Sequence, residues 1–251
     1  MACELVIAPE AVQDGFDFRD LALRGTVYDG AETSAVRERS AWKGEPPVQR
    51  NDMPSPILLD LPESFETERV LIRVPRAGDG PELNAAILET FEDLQPWMPW
   101  AKERPSVEKS EENSRRAYSQ FLTREDITLR LIHKATGKIL GSSGLHPRDW
   151  GIPKFEIGYW CRKQFQGQGY ITEAVKGILR FGFETVGAKR IEICSDSTNV
   201  PSLAVVERVG MKREGELRNH LLGMDGTPRN LIVFALTDGD WQSLRERRYA
   251  P

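Results

Sequence analysis

The sequence predicts a mixed α+β fold built on a largely antiparallel sheet. Three observations carry that expectation. Short β-branched runs alternate with helical periodicities, two of those runs meet at a hairpin signal, and another run feeds a glycine loop that opens an amphipathic helix.

The regular pattern starts at Glu63. Arg69–Pro75 (RVLIRVP) alternates as a strand does. Pro81 suits the first turn of a helix reaching about Phe91, with Leu83, Ala86, Ile87 and Thr90 on one face. Beyond the Pro96-Trp97-Met98-Pro99-Trp100 loop, Ser106 fits the N-cap of a polar helix, although Lys109 stands where a capping box has Glu. Ile127–His133 and Lys138–Leu145 read as strands joined at Ala135-Thr136-Gly137, and Phe155–Cys161 as a further strand ahead of the glycine loop. Ile171, Ala174, Val175, Ile178 and Phe181 mark the amphipathic helix. Arg190–Ser195 then reads as a strand, Val200–Val209 as a helix, and Lys212–Asn219 with Asn230–Leu236 as a closing strand pair.

Residues 1–60 have another texture, with breaks at Asp29-Gly30, Glu45-Pro46-Pro47 and Met53-Pro54-Ser55-Pro56. They read as an arm with a Pro-rich linker near 45–62, followed by a domain over 61–240 and a tail over 241–251. Met53 offers an alternative start, and patches such as Phe16–Leu23 suit docking on a neighbouring surface.

Composition narrows the function. Hydrophobic residues at 39% and charged ones at 29% describe a soluble globular chain. No apolar stretch approaches the roughly 18–20 residues of a membrane span, and MACELVIAPEA lacks the features of a secretory signal. The expectation is a cytoplasmic protein with no membrane partner. A net charge of −4 argues against nucleic acid. Residues 161–190 run the other way, with Arg162, Lys163, Lys176, Arg180, Lys189 and Arg190 against only Glu173 and Glu184. Such an excess suits a docked polyanion, or a merely solvated helix face. Cys3, Cys161 and Cys194 are too scattered for a disulfide framework or a zinc site, so the latter two read as buried thiols. His133, His146 and His220 show no ligand spacing, and no metal is expected.

The segment richest in chemistry is the strand Phe155–Cys161, the loop Gln164–Gly169 and the helix after it. Gly167 and Gly169 can take backbone angles closed to other residues and let the main chain approach a ligand. Free N–H groups at the helix start, with the dipole behind them, make an anion site. Two rivals fail. A P-loop needs Lys-Ser/Thr after its last glycine, and a dinucleotide fingerprint needs a third glycine where Thr172 stands.

Gln164-x-x-Gly167-x-Gly169 matches the Arg/Gln-x-x-Gly-x-Gly/Ala pyrophosphate loop of GNAT acetyltransferases. The resemblance runs over about Glu63–Leu236. ETERVLIRV is similar to that family's first strand, and GSSGLHPRDW followed by FEIGYW to its third and fourth. NVPSLAVVERVGMKREGELR resembles the Asn-x-x-Ser...Gly-Phe...Glu-Gly segment of the RimJ/RimL-type branch, which acetylates protein N-termini, some of them ribosomal.

The resemblance implies a three-layer α/β/α GNAT fold whose mostly antiparallel sheet splays between strands four and five. It implies acetyl-CoA as cofactor and direct attack by an amine in a ternary complex. Ile157, Tyr159 and Cys161 would lie along the pantetheine, a backbone N–H there serving the oxyanion. Gln164, Gln166, Gly167, Gln168, Gly169 and Tyr170 would hold the pyrophosphate. Many relatives use a Tyr seven residues beyond the Asn as acid; here that count from Asn199 reaches Val206, which has no proton to give. RimL-like members use the Ser three residues on, here Ser202, whose other reading is a first-turn Ser satisfying local backbone. Asn199 suits both an N-cap and the pantetheine wall. Glu156 is the candidate base, with an ordinary salt-bridged Glu as the alternative. Trp97, Trp100, His146 and Trp150 would line the acceptor side or simply pack. The acceptor expected is a protein N-terminus, with a small amine (a polyamine or antibiotic) or a non-catalytic CoA-binding role as rivals, and homodimers are common in this branch.

Overall fold

The computed structural model describes residues 55–249, so most of the expected arm and Met53 lie outside the described residues. The described chain opens with a 3-10 turn at Pro56–Leu58 and is fastened at once. Arg124 Nη2 donates to the Leu59 carbonyl at 2.7 Å, and Leu61 is buried in the core.

Two five-stranded sheets follow, and their composition locates the site. The first runs β1 (Ser64–Glu66), β2 (Val70–Arg73), β3 (Thr128–His133), β4 (Ile139–Gly144) and β7 (Tyr159–Cys161), antiparallel throughout. The second runs β5 (His146–Asp149), β6 (Lys154–Glu156), β8 (Arg190–Asp196), β10 (Pro228–Thr237) and β9 (Lys212–Leu222). Its β6–β8 pair is parallel and the others antiparallel. The mostly antiparallel mixed sheet is as expected. The strand Phe155–Cys161, however, is two strands in two sheets, separated at Ile157-Gly158. Helix and strand placements match the periodicity elsewhere, while β1 and β5 were not foreseen.

Helix α1 (Gly80–Leu94) has proline in its first turn and buries Leu83, Ala86, Ile87 and Thr90, as its pattern predicts, with Phe91 and Leu94 in addition. Ser106 caps α2 (Val107–Thr123), accepting from the Lys109 N–H at 3.2 Å. Asn84 Nδ2 donates to the Pro105 carbonyl at 2.7 Å and ties the two helices together. α1 packs on Ile132, Ile139 and Trp160. On the other face, α3 (Tyr170–Phe181) and α4 (Val200–Val209) join the larger core through Ala174, Val175, Ile178 and Val206. Helices on both faces of the sheet give the three layers. Where a tail was expected, Asp238–Tyr249 forms α5, and its Trp241 and Leu244 pack against that core. No helix among the described residues is long and apolar enough to cross a membrane.

Candidate active site

The split strand creates an opening by hydrogen-bond arithmetic. Along an antiparallel strand, main-chain groups point alternately to the two neighbours. Arg162 N–H donates to the Leu140 carbonyl at 2.8 Å, so the even residues of β7 face β4. Ile157 N–H donates the other way, to the Glu192 carbonyl of β8, also at 2.8 Å. Tyr159 and Cys161 continue that second series, but the pairing with β8 ends at Glu156↔Glu192, and β8 keeps only β10, on its other edge, beyond it. Their main-chain groups therefore line an open seam between β7 and β8. Ile157 itself is the last closed rung and is buried, so its N–H is unavailable to a ligand, contrary to expectation.

The glycine loop lies at the end of this seam. Gly167 (φ 71°) and Gly169 (φ 81°) hold left-handed conformations, and Gly169 is the residue from which α3 starts. The N–H groups of Gly167, Gln168, Gly169 and Tyr170 meet no acceptor among the described residues. A cradle of unmade N–H bonds on a helix dipole fits a pyrophosphate. Its glutamine side chains bond within the protein. Gln164 gives its backbone N–H (3.0 Å) and side-chain amide (3.1 Å) to Glu89 of α1. Gln166 Nε2 reaches the Cys161 carbonyl at 3.2 Å, and Gln168 Nε2 the Gln164 carbonyl at 2.8 Å. These side chains brace the loop, leaving the main chain to the ligand.

The basic excess is likewise redistributed. Arg162 is buried between Glu82 and Glu89, Lys189 pairs with Asp238, and Arg190 with Glu192 and Glu214. Lys176 and Arg180 on α3 have no acidic partner among the described residues. Arg69, which the sequence did not flag, adds a cation beside the loop. Its guanidinium lies 4.4 Å from the Tyr170 ring centre, donates to the Gln168 carbonyl at 3.2 Å and pairs with Glu173 at 2.6 Å.

Across the seam, the Tyr159 hydroxyl lies 3.1 Å from Ser202 Oγ. Asn199 Oδ1 takes the Ser202 N–H at 3.2 Å as the N-cap of α4. The Ser202 hydroxyl thus faces Tyr159 instead of its own helix backbone. Burial pushes the Tyr159 hydroxyl up to about 12, against a smaller downward pull from Ser202. Val206, at the position where many relatives carry Tyr, is fully buried. Tyr159 brings a phenol to the same region from the opposite side of the seam, a contact 43 residues long in sequence that no local pattern reveals.

Glu156 forms the salt bridge of its alternative reading. It is buried, and Arg148 donates to its carboxylate from both Nε (3.0 Å) and Nη2. Among the aromatics, Trp100 packs on Trp160 with ring centres 6.4 Å apart, and Trp150 packs edge-on to Phe155 while donating to the Arg124 carbonyl. Trp97 is half-buried, with the Arg229 guanidinium of β10 5.6 Å from its ring. That contact brings the loop after α1 to the β9–β10 hairpin. His146 accepts its place from buried Asp126, whose Oδ1 lies 2.6 Å from Nδ1. Cys161 is half-buried, and burial pushes its thiol up to about 12. Among the described residues no group of His, Cys, Asp and Glu is arranged to hold a metal ion.

A profile of the acetyltransferase (GNAT) domain matches residues 69–212. The chain belongs to the GNAT acetyltransferase family. This acetyltransferase is 30% identical over 179 residues to the Bacillus subtilis protein named "Putative ribosomal N-acetyltransferase YdaF", a match spanning 70% of this chain and 94% of that one. It is 32% identical over 85 residues to the Escherichia coli [ribosomal protein uS5]-alanine N-acetyltransferase, covering 34% and 43% of the two chains. The structure of Mycobacterium smegmatis RimJ in complex with CoA-disulfide superposes with a TM-score of 0.61 at 25% identity, covering 67% of this chain and 81% of that one. The enzyme is an acetyl-CoA-dependent acetyltransferase of the RimJ/RimL-like kind.

Proposed function

We propose that this acetyltransferase acetylates the N-terminal α-amine of a protein in the cytoplasm, with ribosomal proteins as the first class to test. The observation that carries the transfer reading is the open edge of β7, closed on one side by the Tyr159–Ser202 hydroxyl pair. The protein acceptor is supported by what the names of YdaF and the uS5-alanine enzyme say of those relatives. Acetyl-CoA supplies a thioester, a reactive acyl group on a thiol leaving group. The N–H groups of Gly167–Tyr170 hold the phosphates, and Tyr159 and Cys161 main chain aligns the arm. The Tyr159 N–H, next in the series after the closed rung at Ile157, is the donor for charge developing on the carbonyl oxygen. The Ser202 and Tyr159 hydroxyls hold the proton that a departing thiolate takes, and a phenol at about 12 keeps it across the whole neutral range.

The test is thiol release from acetyl-CoA with two panels of acceptors. One holds short peptides whose free N-termini copy ribosomal proteins, the other polyamines and aminoglycosides. Peptide turnover that depends on a free N-terminus is the expected result. Turnover confined to the small amines would overturn the protein-acceptor reading and leave the acetyltransferase intact.

A further inference from the structure

Arg148 engages Glu156, and the face of the sheet opposite the Tyr159–Ser202 pair holds a second candidate proton acceptor. His146 is the first residue of β5 and the cross-strand partner of Glu156, so both side chains share a face. By strand alternation Gly158 shares it too, whereas Tyr159 points the other way, to Ser202 on α4. The imidazole packs against Gly144, where a Cβ would stand 2.3 Å from Cε1 and 2.4 Å from Nε2 and so has no room. Its Nε2 lies 3.8 Å from the point where a Cβ on Gly158 would stand, beside the start of the open seam. Asp126 fixes the ring. Its Oδ1 takes Nδ1 at 2.6 Å while Oδ2 accepts from the Thr128 hydroxyl at 2.6 Å. Burial works to raise the Asp126 carboxyl, but the His146 charge and hydrogen bond, with the Thr128 bond, hold it below the usual range. With Oδ1 accepting at Nδ1, a neutral ring carries its proton there, which leaves the lone pair on Nε2. Nε2 has no hydrogen-bond partner among the described residues, and the side chain keeps 17% of its surface exposed.

We propose that His146, oriented by Asp126, is the base that takes the proton from the acceptor's ammonium group through Nε2. This rests on the reading of the β7–β8 seam as the transfer site. One N–H bond of the ammonium breaks, its electron pair stays on the acceptor nitrogen as the attacking lone pair, and Nε2 gains the proton. The imidazolium so formed sits against the Asp126 carboxylate. The other charged groups on this face are already paired: Glu156 with Arg148, and Glu192 with Lys154 and Arg190. Acid and base then stand on opposite faces of the sheet where the seam opens, so the proton leaving the amine and the proton reaching the thiol use separate paths.

The experiment joins a pH profile to a direct titration. His146→Gln is expected to lower kcat/KM about 10²-fold near neutral pH, the lower end of the usual range for a general base. The deficit narrows above pH 8, where an α-amine is neutral by itself. Calorimetric affinity for acetyl-CoA stays within a few-fold. Asp126→Asn removes the charge that favours imidazolium, so the acid limb of the profile moves to lower pH. The chain has 3 histidines, so the His146 ring proton can be assigned in the intact enzyme from His133→Gln and His220→Gln even if His146→Gln does not fold. Its NMR titration is expected to coincide with the acid limb and to move with it in Asp126→Asn. A limb that does not follow the His146 titration, or a His146→Gln enzyme with the normal pH profile, overturns the proposal. All rates are read with a peptide and with a small amine, so a wrong acceptor class shows as the failure of one acceptor and a wrong base as an unchanged profile with both.

Discussion

Ser202 illustrates how far one residue can be read alone. Its position three beyond Asn199 suggested either an acid or a helix-capping hydroxyl, and sequence could not choose. The structure gives the capping to the Asn199 side chain and turns the Ser202 hydroxyl to Tyr159. Ser202→Ala is therefore expected to lower kcat by about 10²-fold with acetyl-CoA affinity within a few-fold, since a thiol near pKa 8.5 leaves easily and needs only the low end of general-acid assistance. Tyr159→Phe should produce a loss of similar size, and the double variant little more than either single, because the two hydroxyls act as one unit. Additive losses would separate their roles. Stopped-flow rates, calorimetry and melting temperatures on one preparation decide it, because a role in stability alone costs about 1 kcal/mol of unfolding free energy with kcat unchanged. Neither partner was legible from its neighbours. Tyr159 reads as an ordinary strand residue, and its use depends on a helix that arrives 43 residues later.

At the scale of elements, the periodic ones were legible because burial patterns are local. The face of α1 and the apolar stripe of α3 are written in residues three and four apart. The break between β6 and β7 was not legible, for a definite reason. Changing which neighbour accepts the main-chain bonds leaves the in-and-out alternation of side chains untouched, so Phe155–Cys161 still reads as one strand. β5 was hidden by its brevity and by Pro147, and α5 by its polar surface. The loop between these elements can be tested from both ends. Gly169 has φ 81°, and a Cβ there would meet Arg69 Nη2 at an ordinary 3.6 Å. The first side-chain atom of Gly169→Val therefore has room in the free protein. It should cost about 1–2 kcal/mol of backbone strain and weaken acetyl-CoA binding at least tenfold by blocking close approach. Unchanged calorimetric affinity in a folded variant would move the phosphate site elsewhere. At the other end, Glu89 takes Arg162 Nε (2.6 Å) and both donors of Gln164. Burial acts to raise its carboxyl, but those donors hold it below the ordinary carboxylate value. The stabilisation is thus present above that value and is lost as pH falls through the depressed one. Glu89→Gln should lower stability by about 1 kcal/mol at pH 7, and the gap should narrow in urea titrations as pH falls below the ordinary carboxylate range.

For the whole molecule, the seam exists because the chain crosses from one sheet to the other between β6 and β7. The stability of the site follows from how firmly each sheet is held, and the start of the described chain contributes to that. Leu61 is buried in the core shared by β2, β3 and α3, and the Leu59 carbonyl takes the Arg124 guanidinium at 2.7 Å. Arg124, in turn, holds a left-handed conformation (φ 61°) at the end of α2 and accepts the Trp150 indole on its carbonyl at 3.2 Å. Residues 59–61 therefore tie α2 to the loop after β5. A chain beginning at Met53 keeps this tie and every group placed in the site. We expect it to fold, to bind acetyl-CoA within a few-fold of the full chain, and to release thiol with a good amine. A chain beginning at Glu63 loses both the Leu61 side chain and the Leu59 bond, and should be less stable by about 2–4 kcal/mol. Comparing urea midpoints of the two shortened chains with the full one measures the contribution of the segment. Equal stability of all three would show that the segment merely lies on the core. If the Met53 chain fails to fold, the core is completed by residues before it. If that chain binds acetyl-CoA normally but loses peptide acceptors while keeping small amines, residues 1–52 recognise the acceptor.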